Sequence, residues 1–600
     1  MNSIINDFNL TISTINGSGS ATANTTLLRA IFKMGIPVSG KNIFPSNIQG
    51  QPTWFTIRIN QSGFVARQEK DDIVVAMNPT TIQNELESVC PGGVLFFADH
   101  IHLPSNRSDI TIYPMPVKQI MHDSEIQPSM RDYVANMVYV GIVGHILDLD
   151  MDKVRLALDY HFKGKESAVT ANWKIIEASI DWTKANIKKQ DPYRLKTLNP
   201  LNDYIMTDGN TAAALGAIFG GVQFNAWYPI TPATSISESL NEYLPQLRRD
   251  PTTGKDNYVV IQAEDELSAI GMAIGAGFSG LRAMTSTSGP GLSLMSEYLG
   301  LAYYSETPVV IWDVQRVGPS TGLPTRTAQG DLTQTYFISH GDTQFPILIP
   351  GTVDECFEFG WKAFDIAERL QSPVIVLSDL DLGMNEWMTH KFEYPNKPMD
   401  RGKILWEEDL ERLLKERSGD WGRYLDIDGD GIPYRTVPGN THPKSPYLAR
   451  GTGHDEYARY TEDNVAWENG QTRLLRKLEK AKEFLPPPII TKEKEASFGI
   501  IGYGSTELSI LEAQDFYHKE GISTNFARIR SIPFSTEIKR FITENKRIYV
   551  IENNRDGQMC QLLQIIYPEM AGKFIKICHV DGLPLTARWI CEAINSHQER

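Results

Sequence analysis

The segment Tyr228-Pro229-Ile230-Thr231-Pro232 decides how the centre of this 600-residue chain folds. An apolar run at residues 222–227 precedes it, and apolar residues between 236 and 247 recur at the spacing of one helix face. Pro232 suits the first position of a helix, and Thr231 is placed to cap that helix. The pattern predicts a strand, a tight corner and a helix, and ligands of open α/β sheets bind at such corners.

Composition and charge exclude several classes of protein. With 41% apolar content the chain is expected to form about three or four domains, each with its own core. No apolar run reaches the ~18 residues that cross a bilayer, and residues 1–10 lack the segments of a signal peptide. The net charge of −15 is spread along the chain, which argues against nucleic acid as a partner. We therefore expect a cytoplasmic protein with no membrane and no nucleic-acid partner.

The five cysteines are widely separated, and no C-x-x-C pair occurs. An iron–sulfur cluster needs several closely spaced thiolates, so this chain alone is expected to hold none. Reduced, buried thiols of a cytoplasmic protein are the expected state. The cysteines are Cys90, Cys356, Cys560, Cys578 and Cys591.

Changes in composition divide the chain into four predicted units. Residues 1–190 begin with a strand, a glycine turn and a helix. Residues 191–385 alternate strand-like and helical segments, as expected of a mostly parallel sheet. Residues 386–490 are rich in Pro, Gly, Asp, Tyr and Arg and are predicted to be a connector. Residues 491–600, which follow the stiff spacer Pro486-Pro487-Pro488, are predicted to form a small α/β domain.

Three more polar segments follow predicted strands in the central part of the chain. Gln262-Ala263-Glu264-Asp265-Glu266 carries three consecutive carboxylates at a helix start, where one would suffice for capping. Residues 285–291 combine hydroxyl groups, including that of Ser288, with Gly289, which suits a polar heterocycle better than a metal ion. Arg316 can bind a carboxylate through two parallel hydrogen bonds, although a structural salt bridge is the alternative.

A glycine turn at Gly17 and Gly19 follows the first predicted strand. It resembles half of a phosphate-binding loop, because helix amides exposed at such a turn can bind an anion. Thr22 stands where the third glycine of G-x-G-x-x-G belongs, so a tight turn without a ligand is the alternative.

A second candidate loop contains Asp426, Asp428 and Asp430. Gly429-Asp430-Gly431 could be read as the metal and diphosphate motif of thiamine enzymes, but no asparagine pair follows, and we reject that reading. The three aspartates instead fit the first, third and fifth places of a calcium loop. Val437 occupies the twelfth place, where a bidentate acid belongs, so a cation loop and an Asx-turn cluster both remain open.

Together these segments resemble the α subunit of 2-oxoacid:ferredoxin oxidoreductases, in the form with the γ domain fused at its N-terminus. The resemblance runs along the whole chain. The glycine turn departs from the usual G-x-G-G-x-G loop of the γ domain, so no phosphate or coenzyme A role is carried over to it. The segments that carry the resemblance are the Tyr228–Pro232 corner, the E-x-x-A-I-G-x-A-I-G-A helix from Glu266, Thr287-Ser288-Gly289-Pro290-Gly291, Arg316–Gly322, residues 428–435, and Glu552-Asn553-Asn554 with Gly557-Gln558.

The resemblance implies a multidomain α/β protein. It assigns residues 1–190 to a γ-type domain, 191–385 to the pyrimidine-binding domain of a thiamine diphosphate enzyme, and 491–600 to a transketolase-C-like domain, with 386–490 as connector. It further implies that the diphosphate-binding domain, Mg²⁺ and a [4Fe–4S] cluster belong to a separate β subunit. Ferredoxin would be the redox partner, coenzyme A the cosubstrate, and the assembly αβ or (αβ)₂.

The resemblance also assigns site residues. It implies that Glu266 is the catalytic acid, since thiamine enzymes need a carboxylic group hydrogen-bonded to a ring nitrogen of the aminopyrimidine. It places Thr231 at the proximal part of 2-oxoglutarate, and Arg316 and Thr325 at the distal carboxylate. The implied cofactor contacts are Tyr228, Pro229, Ile230, Thr231, Glu266, Ser288 and Gly289.

The implied reaction is oxidative decarboxylation of 2-oxoglutarate to succinyl-CoA and CO₂ with ferredoxin as electron acceptor, or the reverse carboxylation used in carbon fixation. Pyruvate, 2-oxobutyrate and branched-chain 2-oxoacids are alternative substrates, because some relatives with the same arginine segment accept several 2-oxoacids. A non-catalytic assembly subunit is a second alternative, and a calcium-binding protein built on Asp426–Asp430 is a third.

Overall fold

The computed structural model describes residues 3–45, 50–105, 107–418 and 420–598. Three large sheets of six, seven and five strands dominate the described residues. Most strand pairs in them are parallel, and helices connect the strands. This architecture confirms the predicted multidomain α/β class, while the boundaries at residues 190, 385 and 490 stay a prediction.

The first unit is built around the six-stranded sheet. Its elements are β1 (Ile4–Ile5), β2 (Asp7–Ile15), α1 (Ser20–Lys33), β3 (Val38–Ile43), β4 (Pro52–Asn60), β5 (Asp71–Ala76), α2 (Ile82–Ser88), β6 (Val89–Ala98), β7 (Thr111–Met115), α3 (Val117–Asp123), α4 (Pro128–Val134), α5 (Met137–Ile146), α6 (Met151–His161), α7 (Glu166–Asn186) and β8 (Tyr193–Arg194). The strand order is β3-β4-β2-β5-β6-β7. Gly17 and Gly19 both have positive φ, so the turn before α1 needs glycine for its backbone geometry.

The central unit contains the seven-stranded sheet. Its elements are β9 (Tyr204–Thr207), α8 (Gly209–Phe219), β10 (Phe224–Trp227), α9 (Thr234–Leu247), β11 (Val259–Gln262), α10 (Glu266–Phe278), β12 (Ala283–Thr287), α11 (Gly289–Leu294), α12 (Ser296–Tyr304), β13 (Val309–Gln315), α13 (Leu332–Tyr336), β14 (Ile347–Leu348), α14 (Val353–Leu370), β15 (Pro373–Asp379), α15 (Leu380–Met384) and β16 (Trp387–His390). Six strands run parallel in the order β11-β10-β12-β13-β15-β14. This is the parallel sheet that the alternating sequence pattern predicts.

The corner after β10 differs in one respect from the prediction. Thr231 does not cap the next helix, because α9 begins at Thr234 with Ala233 at the N-cap position. The hydroxyl of Thr234 closes the corner instead: it accepts from the Ile230 amide at 2.9 Å and contacts the Ile230 carbonyl at 3.1 Å. Pro232 therefore lies in the turn and not in the first turn of the helix.

The connector and the terminal unit complete the chain. Their elements are α16 (Glu407–Glu416), α17 (Asn464–Ala481), β17 (Ile489–Thr491), β18 (Phe498–Tyr503), a 3₁₀ helix (Gly504–Thr506), α18 (Glu507–Lys519), β19 (Thr524–Ile529), β20 (Ser531–Ile532), α19 (Thr536–Glu544), β21 (Ile548–Glu552), α20 (Gln558–Ile566), a second 3₁₀ helix (Pro568–Lys573), β22 (Phe574–Cys578) and α21 (Ala587–Gln598). The five-stranded order is β17-β19-β18-β21-β22. β20 leaves this sheet and pairs antiparallel with β14, so the terminal unit adds a seventh strand to the central sheet. Among the described helices, none is both long enough and apolar enough to cross a membrane.

Buried ion pairs join the units. Lys41 of β3 donates to Asp381 of α15 at 2.6 Å and lies 3.8 Å from the ring centre of Trp387. Arg528 of β19 contacts Glu355 of α14 at 2.7 Å. Because these charges are buried, each depends on its partner, and the pairs specify how the units pack.

The connector docks on the central unit through Glu306. This carboxylate is fully buried and accepts hydrogen bonds from Arg473 at 3.1 Å and from Lys477 at 2.8 Å, both on α17. Arg423 donates to the Glu306 carbonyl at 3.0 Å. Burial alone raises the pKa of Glu306, but the charges of Arg473 and Lys477 outweigh it and lower the pKa to about 2.

The variant Glu306→Gln is expected to destabilise the protein by about 3–5 kcal/mol, because Arg473 and Lys477 would keep buried charges without a counter-charge. The lowered pKa of Glu306 makes its contribution present above about pH 4.3 and lost as the pH falls towards 2. Thermal unfolding followed by circular dichroism at several pH values measures both effects. Glu297→Gln, at an exposed acid on α12, is the control. Equal unfolding temperatures for the two variants would contradict this role of Glu306.

Candidate active site

The predicted site residues follow four neighbouring strands of the central sheet. β11, β10, β12 and β13 lie in this order and run parallel, so their carboxyl ends share one edge. Glu266 follows β11, the 228–232 corner follows β10, Ser288 follows β12 and Arg316 follows β13. The structure thus brings segments that are distant in sequence to a single edge of the sheet.

Glu266 occupies the first turn of α10 and packs against the glycine-rich loop. Asp265 caps this helix by accepting a hydrogen bond from the Ser268 amide at 2.7 Å, so Glu266 itself is not needed as a cap. Glu266 has only 8% of its surface exposed to solvent. A Cβ added to Gly291 would lie 2.7 Å from the Glu266 Cγ, which shows how closely the loop approaches this carboxylate.

Arg316 and the corner are in direct contact. The Arg316 Nη1 donates to the Thr231 carbonyl at 2.7 Å, while its Nε is buried and finds no partner in the described part of the chain. Burial lowers the pKa of Arg316, and the nearby carboxylate of Asp331 opposes this effect. The remaining corner residues Tyr228 and Pro229 are exposed beside this contact. The corner and Arg316 therefore form one wall with an unused guanidinium donor.

Thr325 lies at the far end of the loop that starts at Arg316. The Val317 amide donates to the Arg326 carbonyl at 3.0 Å, which closes the loop. The Thr325 hydroxyl donates to the Phe44 carbonyl at 2.7 Å, so the first unit holds this side chain in place. No hydrogen bond between described residues links Thr325 directly to Arg316 or Thr231, so of the three proposed substrate residues only the latter two are in contact.

Several buried polar atoms at this edge have no hydrogen-bond partner among the residues that the structure describes. Buried polar groups in folded proteins are nearly always bonded, so a cluster of exceptions indicates contact with a ligand or water. Ser288 Oγ belongs to the cluster and fits a contact to a polar heterocycle, as the sequence predicts. The atoms are Thr285 Oγ1, Ser288 Oγ, both carboxylate oxygens of Asp313, Arg316 Nε and Asp331 Oδ2.

The structure adds two carboxylates that the sequence reading missed. Asp313 lies within β13 and is fully buried. Asp331 precedes α13 and touches Gly289, since a Cβ added to that glycine would lie 2.6 Å from Asp331 Oδ1. The sequence does contain a signal for Asp313, because this charged residue stands inside the otherwise apolar strand Val309–Gln315. Packing in a buried strand does not by itself explain a charged residue there.

The loop that carries Asp331 is held by the terminal unit. The Asn553 amide donates to the Gln329 side chain at 3.0 Å, and the Asn554 side chain donates to the Gln329 carbonyl at 3.0 Å. Gln558 donates to the Gly330 carbonyl at 2.7 Å and accepts from the Thr333 amide at 2.8 Å. These contacts position the loop from both sides of Asp331. We call the Gln329–Thr333 segment with these contacts the loop clamp.

A cavity of about 240 Å³ opens between the first, central and terminal units. Thr325 and Arg326 form part of its lining, together with the Lys41–Asp381 ion pair. The partnerless polar atoms around Ser288 and Asp313 lie outside this lining. The cavity and the cluster of partnerless atoms are therefore two separate features, and of the predicted site residues only Thr325 lines the cavity.

The aspartates of the candidate cation loop, Asp426, Asp428 and Asp430, are paired with basic side chains of the chain itself. Lys403 pairs with Asp428 at 2.7 Å and with Asp430 at 2.8 Å, and Arg476 pairs with Asp426. The side chains of the protein thus supply the positive charge that a cation would bring. Across the described residues, no group of three or more His, Cys, Asp and Glu side chains could hold a metal ion. The alternative, an Asx-type cluster, fits the hydrogen bonds that the Gly431 amide donates to the Asp426 carboxylate.

The comparison with protein families defines the class of protein: an oxidoreductase with a thiamine diphosphate-binding region. A family profile described as "Pyruvate flavodoxin/ferredoxin oxidoreductase, thiamine diP-bdg" matches residues 215–415, which include the whole edge cluster. A second profile, "Pyruvate ferredoxin/flavodoxin oxidoreductase", matches residues 9–182.

Similar proteins specify the family. A 2-oxoacid:ferredoxin oxidoreductase α subunit from Sulfurisphaera tokodaii is 30% identical over 92% of this chain and 91% of its own length. The KorA subunit of 2-oxoglutarate synthase from Methanothermobacter marburgensis is 35% identical over 60% of this chain and 91% of its own length. A solved 2-oxoglutarate:ferredoxin oxidoreductase from Magnetococcus marinus superposes with a TM-score of 0.87 at 27% identity, covering 98% and 99% of the two chains. The chain belongs to the α subunits of the 2-oxoacid:ferredoxin oxidoreductases, which confirms the resemblance drawn from the sequence.

The variant Gly291→Ala is expected to lower thiamine-dependent turnover by about 100-fold, because its Cβ would meet Thr287 Oγ1 at 2.1 Å and displace Glu266. Gly470→Ala, on α17, is the matched control, since no atom outside its own helix lies within 4 Å of its added Cβ. Turnover by the assembled enzyme at saturating thiamine diphosphate, with circular dichroism to verify folding, measures the difference. Equal activity of both variants would show that the loop does not position Glu266.

Proposed function

We propose that this chain forms half of a thiamine diphosphate site whose complete enzyme oxidatively decarboxylates 2-oxoglutarate to succinyl-CoA and CO₂. Ferredoxin accepts the electrons and coenzyme A the acyl group, and the same site can run the reverse carboxylation with reduced ferredoxin. The observation that carries the choice of substrate is the buried guanidinium of Arg316, which contacts Thr231 and keeps its Nε unused.

Arg316 supplies the positive charge that the second carboxylate of a dicarboxylate substrate requires. A 2-oxoacid with a distal carboxylate needs a cation in the site, because an unpaired buried carboxylate is strongly unfavourable. A guanidinium can bind a carboxylate bidentately, and the contact to the Thr231 carbonyl uses only Nη1. Thr231 contacts this group directly, and Thr325 lies at the far end of the loop that starts at Arg316. A 2-oxo-monocarboxylate would leave the guanidinium without a partner.

Glu266 is the acid that this chain contributes. The carboxylate lies at the edge against the glycine-rich loop, and Ser288 and Gly289 line the same edge. Thiamine diphosphate, when bound, supplies the nucleophilic carbon and the electron sink for decarboxylation. The role of Glu266 is to hold a proton at a ring nitrogen of the aminopyrimidine, while Tyr228, Pro229 and Ile230 shape the adjoining wall.

An exposed apolar face beside Glu266 supports the docking of a β subunit. β11 is an edge strand of the central sheet and leaves Val259 and Ile261 exposed. α10 presents Leu267 and Met272 to solvent. Gly275 of the same helix also faces open space, because a Cβ added to it would have no atom within 4 Å. Uncovered apolar edge strands invite association, so a partner surface is expected here.

We propose that this partner carries the diphosphate-binding domain, Mg²⁺ and the [4Fe–4S] cluster, in an αβ or (αβ)₂ assembly. The names of the relatives as α subunits support a multi-subunit enzyme. The scattered cysteines of this chain support a cluster on the partner.

Two alternatives have specific support. The relatives named for 2-oxoacids in general favour a broader substrate range that includes pyruvate, 2-oxobutyrate and branched-chain acids. The 2-oxoglutarate synthase relatives and the Magnetococcus marinus structure favour the dicarboxylate. A non-catalytic assembly role would need no carboxylate at the edge, and the retained Glu266 and Arg316 therefore argue for catalysis.

The variant Glu266→Gln is expected to abolish 2-oxoacid-dependent ferredoxin reduction by the complex of this chain with its β subunit. The amide cannot hold the exchangeable proton that the acid provides. Glu264→Gln, at an exposed acid two residues earlier, is the matched control and should retain turnover. The assay follows reduction of a low-potential acceptor. Full activity of Glu266→Gln would remove this residue from the mechanism.

Substrate preference tests the role of Arg316. The complex is expected to turn over 2-oxoglutarate with a higher kcat/KM than pyruvate or 2-oxobutyrate. Arg316→Met should lower kcat/KM for 2-oxoglutarate by about 100-fold or more, because a buried carboxylate would lose its partner, and should lower that for 2-oxobutyrate much less. Preference of the wild-type complex for pyruvate would show that Arg316 does not serve a distal carboxylate.

A further inference from the structure

The Ser288–Gly289 turn at the sheet edge is packed against the loop clamp. Asp331 fills the space beside Gly289, since a Cβ added to this glycine would lie 2.6 Å from Asp331 Oδ1 and 2.7 Å from Oδ2. Gln334, on α13, donates to the Ser293 hydroxyl at 2.8 Å, and Ser293 belongs to α11, the helix that begins at Gly289. The position of the turn therefore depends on where the loop clamp lies.

Gln558 of α20 holds the loop clamp at two points. Its side-chain nitrogen donates to the Gly330 carbonyl at 2.7 Å, and its side-chain oxygen accepts from the Thr333 amide at 2.8 Å. A glutamine side chain suits this role, because it carries a donor and an acceptor on one planar group. The two bonded backbone groups stand on either side of Asp331 in the sequence. Gln558 therefore fixes the stretch of backbone from which the Asp331 side chain reaches Gly289.

Gln558 reaches the loop from a fixed base. It is the first residue of α20, and the Gly557 that precedes it has a φ of 74°. The Gly557 amide donates to the Asn554 side chain at 2.7 Å, which fixes the start of the helix. In the part of the chain that the structure describes, Gln558 supplies the hydrogen bonds from the terminal unit to residues 330–333. A single side chain thus carries this contact between the two units.

We propose that Gln558 is a positioning residue of the cofactor site: by holding the backbone on both sides of Asp331, it keeps the Ser288–Gly289 turn where thiamine diphosphate contacts it. This role rests on the proposed function, which assigns both residues of the turn to the cofactor. Gln558 acts through the loop clamp and not through contact with the cofactor. The terminal unit therefore contributes to cofactor affinity, although the cofactor site lies at the edge of the central sheet.

Loss of the Gln558 amide is expected to weaken cofactor binding without unfolding the chain. Gly330 and Thr333 are half-buried, so water can bond to the carbonyl and the amide that Gln558 leaves. Water does not hold the loop in one position, and the Ser288–Gly289 turn then loses its fixed neighbour. If about one molecule in ten keeps the binding-competent arrangement, the apparent Kd for thiamine diphosphate rises about tenfold.

Calorimetric titration of thiamine diphosphate and Mg²⁺ into the cofactor-free complex of this chain with its β subunit tests the proposal. Gln558→Met, which keeps the side-chain length but has no amide, should raise the Kd about tenfold, while kcat at saturating cofactor stays within about twofold of the wild type. Gln561→Met is the matched control and should keep the wild-type Kd. This exposed residue of the same helix donates to the Asp556 carbonyl within the terminal unit. Equal Kd values for the two variants overturn the proposal.

Hydrogen exchange of the wild-type complex keeps the proposal testable if the variant fails to fold. Because coupling between two equilibria is reciprocal, a loop position that favours the cofactor is itself stabilised by the cofactor. Thiamine diphosphate should slow exchange of the Thr333 amide and of residues 285–291 by about twofold or more, and leave Glu407–Glu416 of the connector unchanged. Slowing in 285–291 without slowing at Thr333 defeats only the role of Gln558. A wild-type complex that does not bind thiamine diphosphate defeats the proposed function and this role together.

Discussion

The arrangement of the active-site edge depends on the buried carboxylate of Glu552 at the end of β21. This group has no exposure and accepts hydrogen bonds from the Tyr503 hydroxyl, the Asn554 side chain and the Met559 and Cys560 amides. Four donors satisfy the carboxylate and fix the turn that follows β21. Through Asn554 that turn holds the Gln329 loop, so a residue of the terminal unit sets the position of Asp331 in the central unit.

The edge of the central sheet concentrates charge where little water enters. Arg316, Asp313, Asp331 and several hydroxyl groups at this edge carry buried polar atoms that find no partner among the described residues. In such surroundings electrostatic interactions are stronger than in water, and an unmatched charge is unfavourable. The donors that remain unused here, and the apolar surface of β11 and α10 beside them, are suited to contacts with a cofactor and a partner subunit.

Much of the fold and part of the site were predictable from local patterns. The strands of the parallel sheet follow from apolar runs, and the edge positions of Thr231, Glu266, Ser288 and Arg316 follow from polar segments after those runs. The predicted start of α9 was wrong, because the Thr234 hydroxyl closes the corner and leaves Thr231 in the turn. The choice between a cation loop and an Asx-type cluster at Asp426–Asp430 stayed open in the sequence, because Lys403 and Arg476, which pair with its aspartates, are distant in sequence. Asp331 was missed because its neighbours come from β13 and the terminal unit.

The sequence by itself determined the alternation of strands and helices, the residue types at each strand end, and the resemblance to 2-oxoacid:ferredoxin oxidoreductases. These are properties of neighbouring residues, whose periodicity and turn chemistry act over short distances. Only the tertiary structure decided that the Arg316 side chain binds the Thr231 carbonyl, that Asp331 packs against Gly289, and that the terminal unit holds the Gln329–Thr333 loop. Burial and partner choice depend on contacts between segments hundreds of residues apart, such as Gln329 with Asn553, and no local pattern encodes those contacts.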